Sequence, residues 1–131
     1  MAAITSFYAS ILALFLIYLA NTVASHRRKD GIGIGGDPTS DLGVRIRAHA
    51  NAVENVPMTL LLMLFAELNG APGLALHVAG VLLVASRLMH AHGFTSTKGR
   101  YSRGRFVGTA INWGLVFLLA VGNFWLIYVA E

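Results

Sequence analysis

Cysteine is absent from the 131 residues. Disulfides, thiolate metal sites and a cysteine nucleophile are therefore excluded, and any thiol chemistry must use a thiol brought by a substrate. Charge is scarce: Asp, Glu, Lys and Arg make up 12% of the chain, about half the ~25% of an ordinary soluble domain. Ala2 to Ser25 hold no charged residue at all. Proline occurs only at positions 38, 57 and 72, so few interior breaks interrupt the apolar runs. What is abundant is hydrophobic surface, at 56% of residues. Four spans of about 20 residues each leave room for loops and ends and for no separate soluble domain.

The net charge of +4 could suggest a nucleic-acid partner. The placement of the charges excludes it. All Lys and Arg fall in two blocks, Arg27, Arg28, Lys29, Arg45 and Arg47, then Arg87, Lys98, Arg100, Arg103 and Arg105. The apolar runs predict helices over about 4–24, 42–69, 73–92 and 105–130, all within a single domain 1–131. The first run lacks the preceding positive charge of a signal peptide and reads as a retained membrane helix. Asp30 to Gly43 is Gly-rich, but no strand precedes it, so it reads as a connector and not a phosphate-binding loop. Ser40 or Asp41 can cap the second helix, and Pro57 predicts a kink within it. Basic loops gather on the cytoplasmic side. The expected fold is therefore all-α, an integral membrane four-helix bundle with N- and C-termini on the non-cytoplasmic side.

Polar groups inside a bilayer are costly and normally face protein or water. In the second helix Arg47, Asn51 and Glu54 are spaced four and three apart, so a cation, an amide and a carboxylate share one face. Arg45 and Asn55 lie off that stripe. Arg87 and His90 share a face of the third helix, as do Arg105, Thr109 and Asn112 on the fourth. These groups lie near the same ends of their helices, where one polar site could collect them. Glu54 needs a cationic partner, with Arg47, Arg87 or Arg105 available; a purely structural ion pair is the plain alternative. Arg27, Arg28 and Arg103 read as cations snorkelling to the headgroups, and His77, beside a turn, as interfacial. No zinc or di-iron spacing occurs, and Ser86 with His90 lacks a third group for nucleophilic catalysis. Gly104 and Gly108 permit close helix approach. A bundle of four helices has little room inside, so a polar ligand is more easily held between subunits.

The segment from Arg47 through His49, Asn51, Glu54 and Asn55 to Pro57 resembles the second-helix signature of the MAPEG family. The name denotes membrane-associated proteins in eicosanoid and glutathione metabolism. The span layout, the Arg87 and His90 pair and Arg105 agree with the resemblance, which covers the whole chain and looks most like the short bacterial YecN-like branch. It implies a homotrimer in the bilayer, in the inner membrane if the source is bacterial. It implies glutathione held between subunits as ligand or cosubstrate, by Arg47, Asn51, Glu54, Arg87 and His90. Glutathione carries two carboxylates and one ammonium, which several arginines and one Glu complement. Arg105 matches the arginine that stabilises the thiolate in relatives, and the electrophile would be a lipophilic small molecule. Relatives with eicosanoid activity often carry Arg where Ala50 stands and Tyr where Phe94 stands, so eicosanoid synthesis is not implied.

The expected function is thus a glutathione-binding membrane protein acting as a transferase or peroxidase on lipophilic electrophiles. The alternative is a non-catalytic binding or scaffold protein of the same fold, which Ala50 and Phe94 favour. A small four-helix transporter is a third reading. Exporters of that size rely on a Glu in the first helix, and here the first helix has no charged residue at all.

Overall fold

The computed structural model describes residues 2–130, with side chains as far as Tyr128. Four α-helices make up its regular structure: α1 (Ala3–Asp30), α2 (Asp41–Leu68), α3 (Gly73–Ser96) and α4 (Arg103–Ala130). Among the described residues there is no strand. Two helices outrun their apolar segments. α1 takes in Arg27, Arg28 and Lys29 as its last turn, where cations complement the helix dipole. α3 continues past His92 through Phe94 to Ser96. The apolar pattern marks the hydrocarbon-facing part of a helix; the hydrogen-bond ladder does not stop there.

Local chemistry sets the ends. α1 closes on Gly31 in the left-handed conformation, with the Gly31 and Ile32 amides both donating to the Arg27 carbonyl. The Arg27 guanidinium then reaches forward and donates to the Gly33 carbonyl at 3.1 Å. The expected headgroup cation therefore also clasps the glycine-rich connector. Further along, the Thr39 amide and hydroxyl both donate to Asp37 at 2.8 Å. These bonds hold the Asp37 carboxyl below its ordinary pKa. Ser40 caps α2 by accepting from the Gly43 amide at 3.0 Å. α2 is unbroken across Pro57.

α2 and α3 form the middle of the bundle. Each packs on the other and on both outer helices, while among the described residues α1 and α4 do not pack together. The core between them is built on Leu12, Val56, Met63 and Leu83, with Tyr8 and Leu115 beside them. The outward surface is rich in large apolar side chains: Leu14, Phe117, Phe124 and Trp125 are all exposed. In water such a surface would be a binding or aggregation face; in a bilayer it matches its solvent. α1, α3 and α4 are long and apolar enough to cross a membrane. α2, whose first half carries Arg45, Arg47 and Glu54, is not among them. The chain is a multi-pass integral membrane protein.

At the end away from the basic loops, Glu67 performs a task no spacing rule announced. Its two carboxylate oxygens accept the Ile4 amide at 2.9 Å and the Thr5 amide at 2.7 Å. A carboxylate from the end of α2 thereby caps α1, whose own N-cap residue, Ala2, has no side-chain acceptor. The Tyr8 hydroxyl and His77 Nδ1 lie 3.1 Å apart nearby and join α1 to α3. Replacing Glu67 by Ala is expected to destabilise the protein by about 1 kcal/mol, read as a lowered thermal midpoint in detergent. Glu67→Gln, which has one oxygen left to accept, should fall between the two.

Candidate functional site

The polar side chains of the basic end form an inner and an outer group. The inner one is organised by Arg87, which is 2% exposed. Its Nη1 donates to Asn51 Oδ1 of α2 at 3.2 Å, and its Nη2 to the Gly108 carbonyl of α4 at 2.8 Å. Its Nε donates to the Ser86 hydroxyl at 3.3 Å. The planar fork of a guanidinium suits such divergent acceptors. Every one of them is neutral, and among the described residues no carboxylate pairs with Arg87. A buried cation is thus held by dipoles alone.

This contact needs α3 and α4 almost touching. A Cβ on Gly108 would lie 2.5 Å from the Ser86 carbonyl oxygen and 2.9 Å from the His90 amide. Glycine is what allows the Gly108 carbonyl to come within reach of Arg87. Deeper in the bundle an amide ladder continues the network. Asn55 donates to the Asn51 carbonyl at 2.8 Å, Asn112 donates to Asn55 Oδ1 at 3.2 Å, and Thr59 donates to the Asn55 carbonyl at 3.0 Å. Asn112 and Thr59 are fully buried, so each needs these partners.

The outer group comprises His90, Phe94, Arg105, Arg47 and Glu54. His90 is buried and stacks on Phe94, centroids 6.0 Å apart. The Arg105 guanidinium lies 4.8 Å from the Phe94 ring centroid and donates to the Gly99 carbonyl at 3.1 Å. The Phe94 ring therefore contacts both a histidine and an arginine. Arg47 and Glu54 are 3.7 Å apart and more than half exposed, at 58% and 57%. Their face of α2 continues as Met58, Leu61, Phe65 and Leu68, all exposed. Among the described residues no three His, Cys, Asp or Glu side chains come together as a metal site.

The structure places the six predicted site residues at one end of the bundle but divides them. Asn51 turns inward to Arg87, away from its helical neighbours Arg47 and Glu54, which face outward and pair with each other. Asn55 and Thr59, which fell outside the predicted stripe, carry the inner ladder with Asn112. Their only signal in the sequence was polar character within the apolar half of a helix, which is costly unless satisfied.

A membrane bundle with a buried, carboxylate-free arginine and a row of amides between α2 and α4 defines the class: a helical membrane protein built around an internal polar site. Comparison with known proteins makes it specific. The MAPEG family model matches residues 5–125, and the chain belongs to the MAPEG family. It is also 35% identical over 122 residues to inner membrane protein YecN of Escherichia coli strain K12, covering 93% of this chain and 91% of that protein. The match to YecN of Escherichia coli O6:H1 has the same identity and coverage.

Arg87→Lys keeps the charge but cannot reach the separate acceptors on α2, α3 and α4 as a fork does. It should lower stability by about 2 kcal/mol, seen as an earlier thermal unfolding midpoint. Gly108→Ala should lower it by a comparable amount, since the new methyl meets backbone atoms of α3 that cannot swing aside.

Proposed function

We propose that this protein binds glutathione between subunits of a homotrimer and activates its thiol toward lipophilic electrophiles in the bilayer. The observation that carries the reading is the charge arrangement of α2, α3 and α4. Arg47, Arg87 and Arg105 gather at one end with Glu54 as the carboxylate of the α2 stripe, and among the described residues no carboxylate pairs with the buried Arg87. A ligand with two carboxylates and one ammonium offsets such a surplus. Arg47 and Glu54 would release each other to meet a ligand carboxylate and the γ-glutamyl ammonium. Arg87, with Asn51 and His90, would supply the fixed positive floor. Arg105, held over Phe94, would sit beside the sulfur.

The subunit boundary is where this ligand fits. Within one chain Arg47 and Glu54 look outward, and the apolar row from Met58 to Leu68 extends their face along α2. A neighbouring copy would cover that row and close the site over the ion pair. With its outer face so covered, α2 acts as the fourth span despite its charged first half. The basic ends lie at the cytoplasmic surface by the positive-inside rule. The membrane is the inner one, as the name of YecN states for that protein.

The chemistry follows from thiolate stabilisation. A guanidinium at the sulfur lowers the thiol pKa, and the proton leaves to solvent. The thiolate then forms a carbon–sulfur bond to the electrophile, whose leaving group departs with the bonding pair. The non-catalytic reading rests on Phe94, which gives the site a ring face where a tyrosine would offer a hydroxyl.

Calorimetric titration of the detergent-purified trimer with glutathione tests the reading. Saturable binding is expected, weakened tenfold or more, about 1.4 kcal/mol, in Arg47→Ala and in Glu54→Ala. Wild-type protein should show the ultraviolet thiolate band on adding glutathione. Arg105→Ala should bind and lose that band. No saturable heat in wild-type protein would dismiss the proposal, and binding with no thiolate band would leave the non-catalytic protein as the correct reading.

A further inference from the structure

A second recess at the basic end is separate from the Arg87 network. It lies between α1, α2 and α3, with a volume of about 190 Å³. Its polar lining is Arg45, His92, Thr22 and Thr95, and its apolar wall includes Phe15 and Leu88. Arg45 was the arginine that fell off the α2 stripe, and it faces away from the glutathione-site candidates. Among the described residues no carboxylate lies within ion-pairing distance of it: Asp41 pairs with Lys98 at 3.6 Å and Glu54 with Arg47.

The threonines narrow the ligand chemistry. Thr22 donates its hydroxyl proton to the Leu19 carbonyl at 2.7 Å, and Thr95 donates to the Ala91 carbonyl at 2.8 Å. Each hydroxyl keeps lone pairs that can accept from a donor in the recess. Among the described residues, the recess offers one arginine without an ion pair beside two hydroxyl acceptors. That pattern suits a phosphate whose substituent carries hydroxyl groups. The surroundings add chains to the ligand. Ile17 and Tyr18 are exposed on α1 and Leu88 on α3, so the apolar outer surface leads directly into the recess. Its depth agrees, since Thr22 lies one helical turn before the basic segment His26–Lys29 that ends the apolar run of α1.

We infer that this recess binds an anionic phospholipid with a hydroxyl-bearing head group, of the phosphatidylglycerol type. Arg45 holds the phosphate, Thr22 and Thr95 accept from the head-group hydroxyls, and the acyl chains run along Phe15 and Leu88. His92 stands at the rim. Basic recesses between membrane helices at this level are suited to such head groups. An arginine that merely snorkels to the surface would show no preference among them.

Native mass spectrometry of the detergent-purified protein, titrated with defined lipids, tests the site. Phosphatidylglycerol should be retained in preference to phosphatidylcholine, which has the phosphate but lacks both the net charge and the hydroxyls. Excess inorganic phosphate should not displace it, which separates a lipid from a free anion. Arg45→Ala should cut the retained fraction about fivefold. Thr22→Val with Thr95→Val should erase the preference for phosphatidylglycerol over phosphatidic acid while leaving net retention largely in place. Thermal midpoints without lipid show whether each variant is folded, and Arg45→Lys serves as a second, milder probe of the charge. Equal retention of both lipids by the wild type, or full retention by folded Arg45→Ala, would overturn the inference. Glutathione titration of Arg45→Ala should match wild type, so this result stands apart from that for the glutathione site.

Discussion

The Arg87 guanidinium touches α2 through Asn51, α4 through the Gly108 carbonyl and its own helix through Ser86. The bonds to α2 and α4 form only at one axial position of the helices. If α4 slid by one residue the Gly108 carbonyl would leave, and a side chain would wedge into the α3 backbone. The amide ladder of Asn51, Asn55 and Asn112 depends on the same alignment. Lipid tails are as apolar as the core side chains, so apolar contacts give little preference for one register over another. Directional bonds to a buried cation supply that preference.

The same cation gives the site its electrostatic character. Arg87 is balanced by dipoles, while Glu54 is engaged by Arg47 on the outside of α2 and Asp41 by Lys98. Positive potential is therefore left over at the centre of the basic end. Desolvation makes that surplus costly for the chain alone and strengthens its attraction for an anion. Structural and functional demands meet in one side chain: the group that sets the helix register also creates the appetite for a negatively charged ligand.

Much of this was legible in the residues. The apolar runs located all of the helices, and the Arg47, Asn51 and Glu54 spacing marked the face of α2 that bears the polar groups. Spacing could not divide that face. Residues within one helical stripe span a wide arc, and whether a given side chain turns toward α3 or outward is decided by neighbours far away in sequence. Asn51 went inward because Arg87 waits there. The ends of α1 and α3 were misjudged for another reason: hydropathy reports where lipid begins, whereas Arg27 to Lys29 remain helical in the polar zone beyond it. Glu67 left no periodic signature, because its partners are bare backbone amides in another helix, which no side-chain pattern records.

That last contact bears on how the protein is made. Ile4 and Thr5 leave the ribosome well before Glu67, their acceptor 62 residues or more downstream. The first helix therefore enters the bilayer with its leading amides open. They find their carboxylate only when the second helix has crossed and returned its far end to the same surface. Biogenesis of the bundle has a built-in latch, closed by the second helix on the first, and a nascent chain halted before Glu67 would hold α1 in the membrane without fastening it.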